Sequence, residues 1–533
     1  MTFAPLDILF ALLALLVLIY LMAKRSSMPA SRALPLAAAL LYLVKLGWFA
    51  ASPDQIHAAV LDGLLTAATP ILIVTGAILL FKTMEISGAM QTLRTWLNTI
   101  SSNRVAQLMI VAWAFTFLIE GAAGFGTPAA LAAPILVGLG VPPVRAAIVC
   151  LMMNTVPVSF GAVGTPTWFG FGELALTADE LQQIATKTAL MHAAAAMIIP
   201  LMALRMVVDW QAVRRNVVFI YLSILSCVVP YVLLATISNE FPAVVGGFIG
   251  LVITAGLARH RIGLARGESA ATATERPALP TLTLLKALFP LWGTVLVLLM
   301  TRIEQLGLKA LLNAAEPNWQ VPLGSLGTLV VSPALVVQLR DIFLTQTHWS
   351  HSVLYVPSLL PFGLIVLICF GLFRLGREPV GRIGTETLDR VRGPVVALLG
   401  ALVFVKLFMM GGPTSAASIL GTTMSEAAGQ QWPYVATFLG ALGSFFTGSN
   451  TISNLTFGPI QDTIAGQLDL NRTTMLSLQS AGGAMGNMIC IHNIVAVCSV
   501  LGLRQQEGFI LRRTAMAVLV YGVVVSIVGL ALL

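Results

Sequence analysis

The sequence predicts an all-α, polytopic membrane protein with about 12–16 membrane segments. Of its 533 residues, 57% are hydrophobic and only 10% are charged, and its mean hydropathy is +0.91. Soluble domains carry roughly 25% charged residues. Apolar runs long enough to cross a bilayer recur from one end of the chain to the other. Two Gly- and Asn-rich interruptions inside these runs, one in each half, further predict two inverted repeats with broken or re-entrant helices.

The apolar segments give the order of the predicted helices. Segments 121–141 and 449–468 are rich in Gly and polar residues, so each is either a broken crossing or a re-entrant hairpin. The full set lies near residues 5–22, 33–50, 56–80, 104–119, 121–141, 143–165, 185–205, 216–238, 241–258, 284–300, 353–373, 393–412, 431–447, 449–468, 473–499 and 512–532.

Basic residues indicate how the chain is oriented. The formal net charge of +8 comes from Arg and Lys scattered over short loops, which is typical of positive-inside topology and not of nucleic-acid binding. Lys24 and Arg25 follow the first segment, so the N-terminus is predicted to lie outside. By alternation, which closes best if 121–141 and 449–468 count as crossings, the helix entering Glu120 runs outward and the helix entering Gly448 runs inward. A hairpin at either place would need another span to compensate. The two interruptions are therefore expected to have opposite orientations, as inverted repeats require.

The chain divides into two membrane halves joined by a polar linker. The first half, 1–258, carries one signature at 120–166, and the second half, 282–533, carries another at 448–493. The stretch 259–281 is rich in Arg, Ala and Thr and is predicted to be a cytoplasmic linker. The mixed region 301–352 is compatible with an extracytoplasmic amphipathic piece or with another re-entrant segment.

Several function classes find no support in the sequence. All five cysteines lie in apolar stretches without paired spacing, which argues against disulfides and zinc sites (Cys150, Cys227, Cys369, Cys490 and Cys498). No His-Glu-x-x-His, Gly-x-Ser-x-Gly or P-loop pattern occurs. The chain is therefore not expected to be an enzyme or an ATP-driven pump, and no cofactor or metal is expected.

The two interruptions supply the groups that an anion site needs. Free N–H groups at helix N-termini bind small anions, and broken helices bring such ends to the middle of the membrane. A patch for close helix packing is the alternative reading of Gly and Ser in membrane helices. The candidate substrate-binding residues in these two interruptions are Gly121, Gly124, Thr127, Ser449, Asn450, Thr451, Ser453 and Asn454.

A second polar break follows each interruption. In the first half it begins with Asn154 and Thr155 and ends at Pro157, and in the second half it runs from Gly482 to Asn493. Each break combines a helix-disrupting residue with amide or hydroxyl groups, which predicts that it lines the substrate pathway. Simple kinking of the helices is the alternative.

Ionisable residues inside apolar runs are functional candidates by default, because each is costly in the membrane. Glu120 directly precedes the first interruption and is our candidate for proton coupling; capping or pairing within the fold is the alternative. Lys406 lies deep in a predicted span, where it would pair with a substrate carboxylate, with Glu120 or with another acid. His492 is a candidate substrate-binding residue that titrates near neutral pH. Lys45 and His192 are expected to be structural.

Five motifs resemble the lactate permease family of bacterial secondary transporters. The resemblance rests on FLIEGAAGFGTP at 117–128, AAPILVGLG at 132–140, NTVPVSFGAVGTP at 154–166, FTGSNTISN at 446–454 and GGAMGNM at 482–488. The length of the chain and the number of segments also match the family. The resemblance covers most of the chain and is weak only in region 260–350. The last motif departs from the family, which usually has a Lys where this chain has Asn487. Lys406 or His492 would then have to supply the missing charge.

The resemblance implies a secondary transporter of the bacterial inner membrane. Its expected substrates are L-lactate and related 2-hydroxymonocarboxylates, D-lactate and glycolate, taken up with protons. The alternative is a sodium- or proton-coupled transporter of another small organic anion, a dicarboxylate or a sulfonate. The expected partners are the anion, protons and the lipid bilayer, and the sequence leaves open whether the chain forms a homo-oligomer.

Overall fold

The computed structural model describes residues 3–23, 28–124, 127–265, 280–302 and 304–533. Most of the predicted linker 259–281 lies outside the described residues, and so do Lys24, Arg25 and Gly126. The backbone of Thr127 is described, but its side chain is not.

Among the described residues, fifteen α-helices precede the predicted linker. They are α1 (Pro5–Ala23), α2 (Ala30–Gly47), α3 (Pro53–Thr66), α4 (Ala68–Ile86), α5 (Ala89–Thr99), α6 (Arg104–Leu108), α7 (Thr116–Ala123), α8 (Thr127–Gly138), α9 (Pro143–Met153), α10 (Gly161–Trp168), α11 (Ala178–Ala196), α12 (Ile199–Leu204), α13 (Trp210–Arg215), α14 (Val217–Ala235) and α15 (Pro242–Arg259). A π-helical segment, Met109–Phe115, joins α6 to α7.

In the part of the second half that the structure describes there are ten α-helices and a small sheet. They are α16 (Thr281–Arg302), α17 (Leu308–Leu312), β1 (Trp319–Pro322), β2 (Thr328–Val331), β3 (Val336–Arg340), β4 (Trp349–Ser352), α18 (Leu364–Leu372), α19 (Arg377–Met409), α20 (Ala416–Ala428), α21 (Trp432–Thr447), α22 (Asn450–Gln467), α23 (Arg472–Gly486), α24 (Ile491–Val500) and α25 (Glu507–Ala531).

The predicted fold class is confirmed. Within the described residues, 11 helices are long and apolar enough to cross a membrane, or 12 if the bent pair α9–α10 counts as one span. The chain is thus an α-helical, multi-pass membrane protein, and its 11 or 12 candidate spans among the described residues are one below or at the lower limit of the predicted 12–16. α8 has 12 residues, a length of about 18 Å, and the hydrocarbon core is about 30 Å thick. On its own α8 is too short to cross, which favours the re-entrant form for 121–141.

Region 301–352 contains a structure that the sequence analysis did not predict. Its strands form a four-stranded antiparallel sheet in the order β1-β2-β3-β4, where an amphipathic or re-entrant segment was expected. The sheet packs on α3 through a buried cluster of Ala58, Leu339 and Ile342. The His351 side chain is buried, and its Nδ1 lies 2.8 Å from Thr69 Oγ1 at the start of α4.

The chain forms two compact units, each assembled from both halves of the sequence. The first unit comprises Met1–Ala89 and Lys286–Ala427, and the second comprises Met90–Leu285 and Ala428–Leu533. Each half therefore contributes first to one unit and then to the other, in the same order. This recurrence agrees with an internal repeat, although the inverted orientation of the two repeats stays a prediction.

The second unit holds both signatures and is built around a fully enclosed helix. Within the candidate span Arg104–Ala123, every residue from Val105 onward is buried. Close backbone contact makes this possible: a Cβ at Gly121 would lie 2.3 Å from the Val244 nitrogen of α15. A capping box of Thr177 and Glu180 begins α11. The Asn471 side chain accepts from the Thr474 N–H and begins α23.

Candidate functional site

All four predicted breaks are confirmed, and all lie in the second unit. α7 ends at Ala123, the following Gly124 has a φ of +61° in the region that favours glycine, and α8 starts at residue 127. In the second half α21 ends at Thr447, the following Gly448 has a φ of +74°, and α22 starts at Asn450. These glycines let the backbone leave the helical path at both interruptions.

The second breaks have different shapes in the two halves. After Met153 the chain bends by 64° between α9 and the following helical segment, Val158–Trp168. In the other half α23 passes through a single 3₁₀ turn, Asn487–Ile489, into α24. Both breaks interrupt a helix within otherwise apolar sequence, and their expected role in lining the substrate pathway stays a prediction.

Residues from three of these breaks line one small cavity in the second unit. Its volume is about 20 Å³, enough for about one water molecule. A hydroxymonocarboxylate is larger than this, so binding one requires the walls to separate. The lining residues are Glu120, Gly124, Val158, Gly161, Ala162, Pro166, Gly448, Ser449, Asn450, Thr451 and Asn487.

Glu120 is the ionisable side chain in this lining. It is 2% exposed, and Asn154 Nδ2 donates a 2.9 Å hydrogen bond to its Oε2. Gly161 leaves room for the other carboxyl oxygen, since a Cβ at that position would lie 2.6 Å from Glu120 Oε1. One carboxyl oxygen of Glu120 is thus held by a hydrogen bond, and the other lies against a glycine that has no side chain.

The first turn of α22 forms another part of the lining. Ser449 caps this helix, and its hydroxyl accepts from the Ile452 N–H. The backbone N–H groups of Asn450 and Thr451 have no hydrogen-bond partner among the described residues. A helix N-terminus with unpaired N–H groups carries partial positive charge and suits a carboxylate. No Lys, Arg or His stands among the described lining residues.

Other predicted site residues support the cavity without lining it. Asn154 contacts Glu120, and Asn454 Nδ2 donates to the carbonyl of the lining residue Pro166 at 2.9 Å. Thr155 and Ser453 donate their hydroxyls to backbone carbonyls of their own or a neighbouring helix. Gly121 packs against α15. The side chain of Thr127 lies outside the described residues.

Lys406 and His492 do not stand among the lining residues. Lys406 belongs to the first unit, where its Nζ lies 2.7 Å from Asp62 Oδ2. It thus has the acid partner that one of the alternatives anticipated. Lys45, expected to be structural, donates to the Met410 carbonyl at 2.7 Å in the same unit. His492 is exposed and lies beside Gly448.

Sequence reasoning did not select five of the lining residues as binding candidates. All five belong to motifs that it had singled out, and Pro166, Gly448 and Gly161 are residue types that disrupt helices, so attention to residue type within those motifs would have included these three. Val158 and Ala162 are apolar residues in an apolar context, and no sequence signal separates them from packing residues.

Comparison with known proteins gives a consistent family. The L-lactate permease family model matches residues 7–533. A Haemophilus influenzae protein, provisionally named an L-lactate permease, is 47% identical over 527 residues, which cover 99% of this chain and 98% of that protein. Glycolate permease GlcA of Escherichia coli is 27% identical over 504 residues, 90% of this chain and 87% of its own length. The L-lactate permease of Bacillus subtilis is 27% identical over 464 residues, 83% and 81% of the two chains.

Proposed function

This chain belongs to the L-lactate permease family, and we propose that it takes up L-lactate and related 2-hydroxymonocarboxylates, D-lactate and glycolate, by proton symport across the bacterial inner membrane. It is a multi-pass membrane transporter and not an enzyme. The names of its relatives support the substrate class, since they include both L-lactate and glycolate permeases.

The main support for proton coupling is that a buried carboxyl group and an anion-attracting helix end line the same cavity. No basic side chain stands among the described lining residues. Two carboxylates about 4 Å apart repel each other by about 4 kcal/mol at an effective dielectric constant of about 20. A substrate carboxylate beside an ionised Glu120 would therefore bind poorly. If Glu120 carries a proton, this repulsion disappears, so the anion and the proton bind together.

The lining residues then take distinct roles. The unpaired N–H groups of Asn450 and Thr451 receive the substrate carboxylate, and Asn487 offers an amide to the substrate hydroxyl. Glu120 holds the proton, and Asn154 orients its carboxyl group. Because the cavity is too small for the substrate, its walls must open to each side of the membrane in turn.

Uptake of labelled L-lactate into proteoliposomes tests the proposal. A pH gradient, acidic outside, should drive accumulation above the equilibrium level in the absence of sodium. Glu120→Gln should abolish this accumulation but retain exchange of labelled for unlabelled L-lactate, because a neutral amide does not repel the anion. Gln461→Leu is the control, because it removes a buried amide of the second unit without touching the lining.

The outcomes separate the coupling ion from the substrate. If a sodium gradient drives accumulation and the pH gradient has no effect, the coupling ion is sodium and not the proton. If a dicarboxylate or a sulfonate is exchanged and L-lactate does not compete with it, that anion is the substrate and L-lactate is not. If Glu120→Gln accumulates L-lactate with normal pH dependence, the role of Glu120 is wrong.

A further inference from the structure

His192 lies at the centre of a buried hydrogen-bond chain that leads to the cavity. It is completely buried on α11, and both nitrogens of its ring contact hydroxyl groups. Nδ1 lies 2.5 Å from Tyr521 Oη on α25, and Nε2 lies 2.8 Å from Ser159 Oγ. Ser159 is in the short 3₁₀ turn between the 154–157 break and α10. The ring therefore connects two membrane helices to one of the breaks.

The chain continues from Ser159 to the first turn of α22. Asn450 Nδ2 donates to Ser159 Oγ at 3.2 Å and to the Ser480 carbonyl at 3.1 Å. Ser480 Oγ also lies 3.0 Å from Ser159 Oγ. All four side chains are less than 4% exposed. Ser159 thus links His192 to Asn450, the first residue of α22 and part of the cavity lining.

We propose that His192 is a positioning residue for the transport site. Through Ser159 it holds the Asn450 side chain, and with it the first turn of α22, in the orientation that receives the substrate carboxylate. The proposal rests on the proposed function, because it presumes that this turn binds the anion.

The chemistry of the imidazole suits this role. A neutral ring has one donor nitrogen and one acceptor nitrogen, and a hydroxyl group can serve either, so both contacts of His192 form in either tautomer. A buried polar group that loses its partner is costly, so the chain is stable only when every member keeps its place. A rigid ring between two hydroxyls therefore fixes the distance from α25 to Ser159.

Two substitutions at His192 separate positioning from ordinary structural support. The amide of Gln reaches the place of the ring's Nε2, and the amide of Asn reaches that of Nδ1. His192→Gln therefore keeps the contact to Ser159, while His192→Asn keeps only the contact to Tyr521. We expect His192→Asn to raise the KM for L-lactate exchange about tenfold with Vmax changed less than twofold, and His192→Gln to stay within about twofold of the wild-type KM.

Ser159→Ala breaks the same link from its other end and keeps the histidine. It should raise KM as much as His192→Asn does, and the double variant should raise it no further. Thr254→Val provides the matched control, because it removes a buried contact between helices of the same unit, Thr254 Oγ1 to Ser226 Oγ at 3.1 Å, away from the cavity. The control should leave KM unchanged.

Three results would overturn the proposal. They are equal effects of Asn and Gln at position 192, a loss of Vmax with unchanged KM in His192→Asn, and an unchanged KM in Ser159→Ala. If His192→Asn does not fold, Ser159→Ala alone decides. Wild-type exchange of L-lactate is measured first: its absence would contradict the proposed function, and the variants would then be compared with the monocarboxylate that the wild type does exchange.

Discussion

Asn154 Nδ2 donates a 2.9 Å hydrogen bond to Glu120 Oε2 and so joins the second break of the first half to the carboxyl group at the first interruption. Both side chains are buried, at 4% and 2% exposure. The two motifs are separated by 34 residues in sequence and act on one group in space. Any change at Asn154 therefore acts on the proposed proton carrier.

Replacing Asn154 by Leu should reduce proton-driven uptake of L-lactate at least about tenfold, since the carboxyl group loses the donor that orients it. The protein should still fold, because Leu fills the same space. Initial uptake rates in proteoliposomes measure the effect. Asn103→Leu is the control: Asn103 also donates from a buried amide to a side chain, Asn216 Oδ1 at 3.3 Å, but does not reach the cavity. Equal losses in both variants would contradict a specific role for Asn154.

Gly161 should tolerate no side chain, although its backbone φ of −63° is open to any residue. A Cβ would lie 2.6 Å from Glu120 Oε1, so Gly161→Ala must displace the carboxyl group. We expect L-lactate uptake to fall at least about tenfold with normal amounts of folded protein. Gly256→Ala, also in the second unit and with nothing within 4 Å of the added carbon, should transport normally. Normal transport by Gly161→Ala would show that the position of Glu120 is not critical.

The breaks were predictable and their assembly was not. Gly, Asn and Pro within apolar runs indicate a broken helix because the backbone cannot remain helical or unpaired there without a cost. The same local signal located Glu120, Ser449 and Asn450. Val158 was not predicted as a lining residue, because the sequence does not distinguish an apolar residue that faces a cavity from one that packs against a helix. The partner of His192, Ser159, lies 33 residues away, and no periodicity connects them.

The sheet in region 301–352 was not predicted for a related reason. Its strands have four or five residues each, and the buried positions of β3 do not alternate, so a period-two pattern is absent. Its stability depends instead on pairing between strands and on packing against α3. The pairing joins strands that are neighbours in sequence, but the packing on α3 brings Ala58 against Leu339 and Ile342, and a contact between residues so far apart is not encoded locally in a single sequence.

Asp62 and Lys406 should act as a structural ion pair and not as a substrate site. Their atoms lie 2.7 Å apart, and both side chains are largely buried. Lys406→Gln leaves Asp62 without its charged partner, which should destabilise the protein by about 3 kcal/mol. The double variant Asp62→Asn with Lys406→Gln should recover most of this loss. Thermal unfolding in detergent measures the stability of the three variants.

Transport kinetics test the same pair for a contact with the anion. The double variant should bind L-lactate with the wild-type KM, since no charge is left unpaired and the cavity lining is unchanged. A large increase in KM, with the stability restored, would show that Lys406 substitutes for the cation missing at Asn487. An exposed pair, Asp389 with Arg392 at 3.2 Å, provides a comparison whose removal should cost under about 1 kcal/mol.

His351 should make the four-stranded sheet of region 301–352 sensitive to acid. Burial lowers the pKa of this histidine below its ordinary value of 6.5. The folded protein therefore keeps the ring neutral, while the unfolded chain binds a proton as the pH falls through about 6.5. Because the unfolded state binds more protons, stability is fully present above this pH and declines below it. The Tm should thus fall between about pH 7 and pH 5.

A substitution isolates this contribution from other titrating groups. His351→Asn keeps an amide where Nδ1 meets Thr69 but has no titrating ring, so its Tm should fall less over the same pH range. His348→Asn is the control, because His348 is exposed near Asp341 and its side chain is 56% accessible. If His351→Asn and the wild type lose the same Tm on acidification, His351 does not set the acid sensitivity.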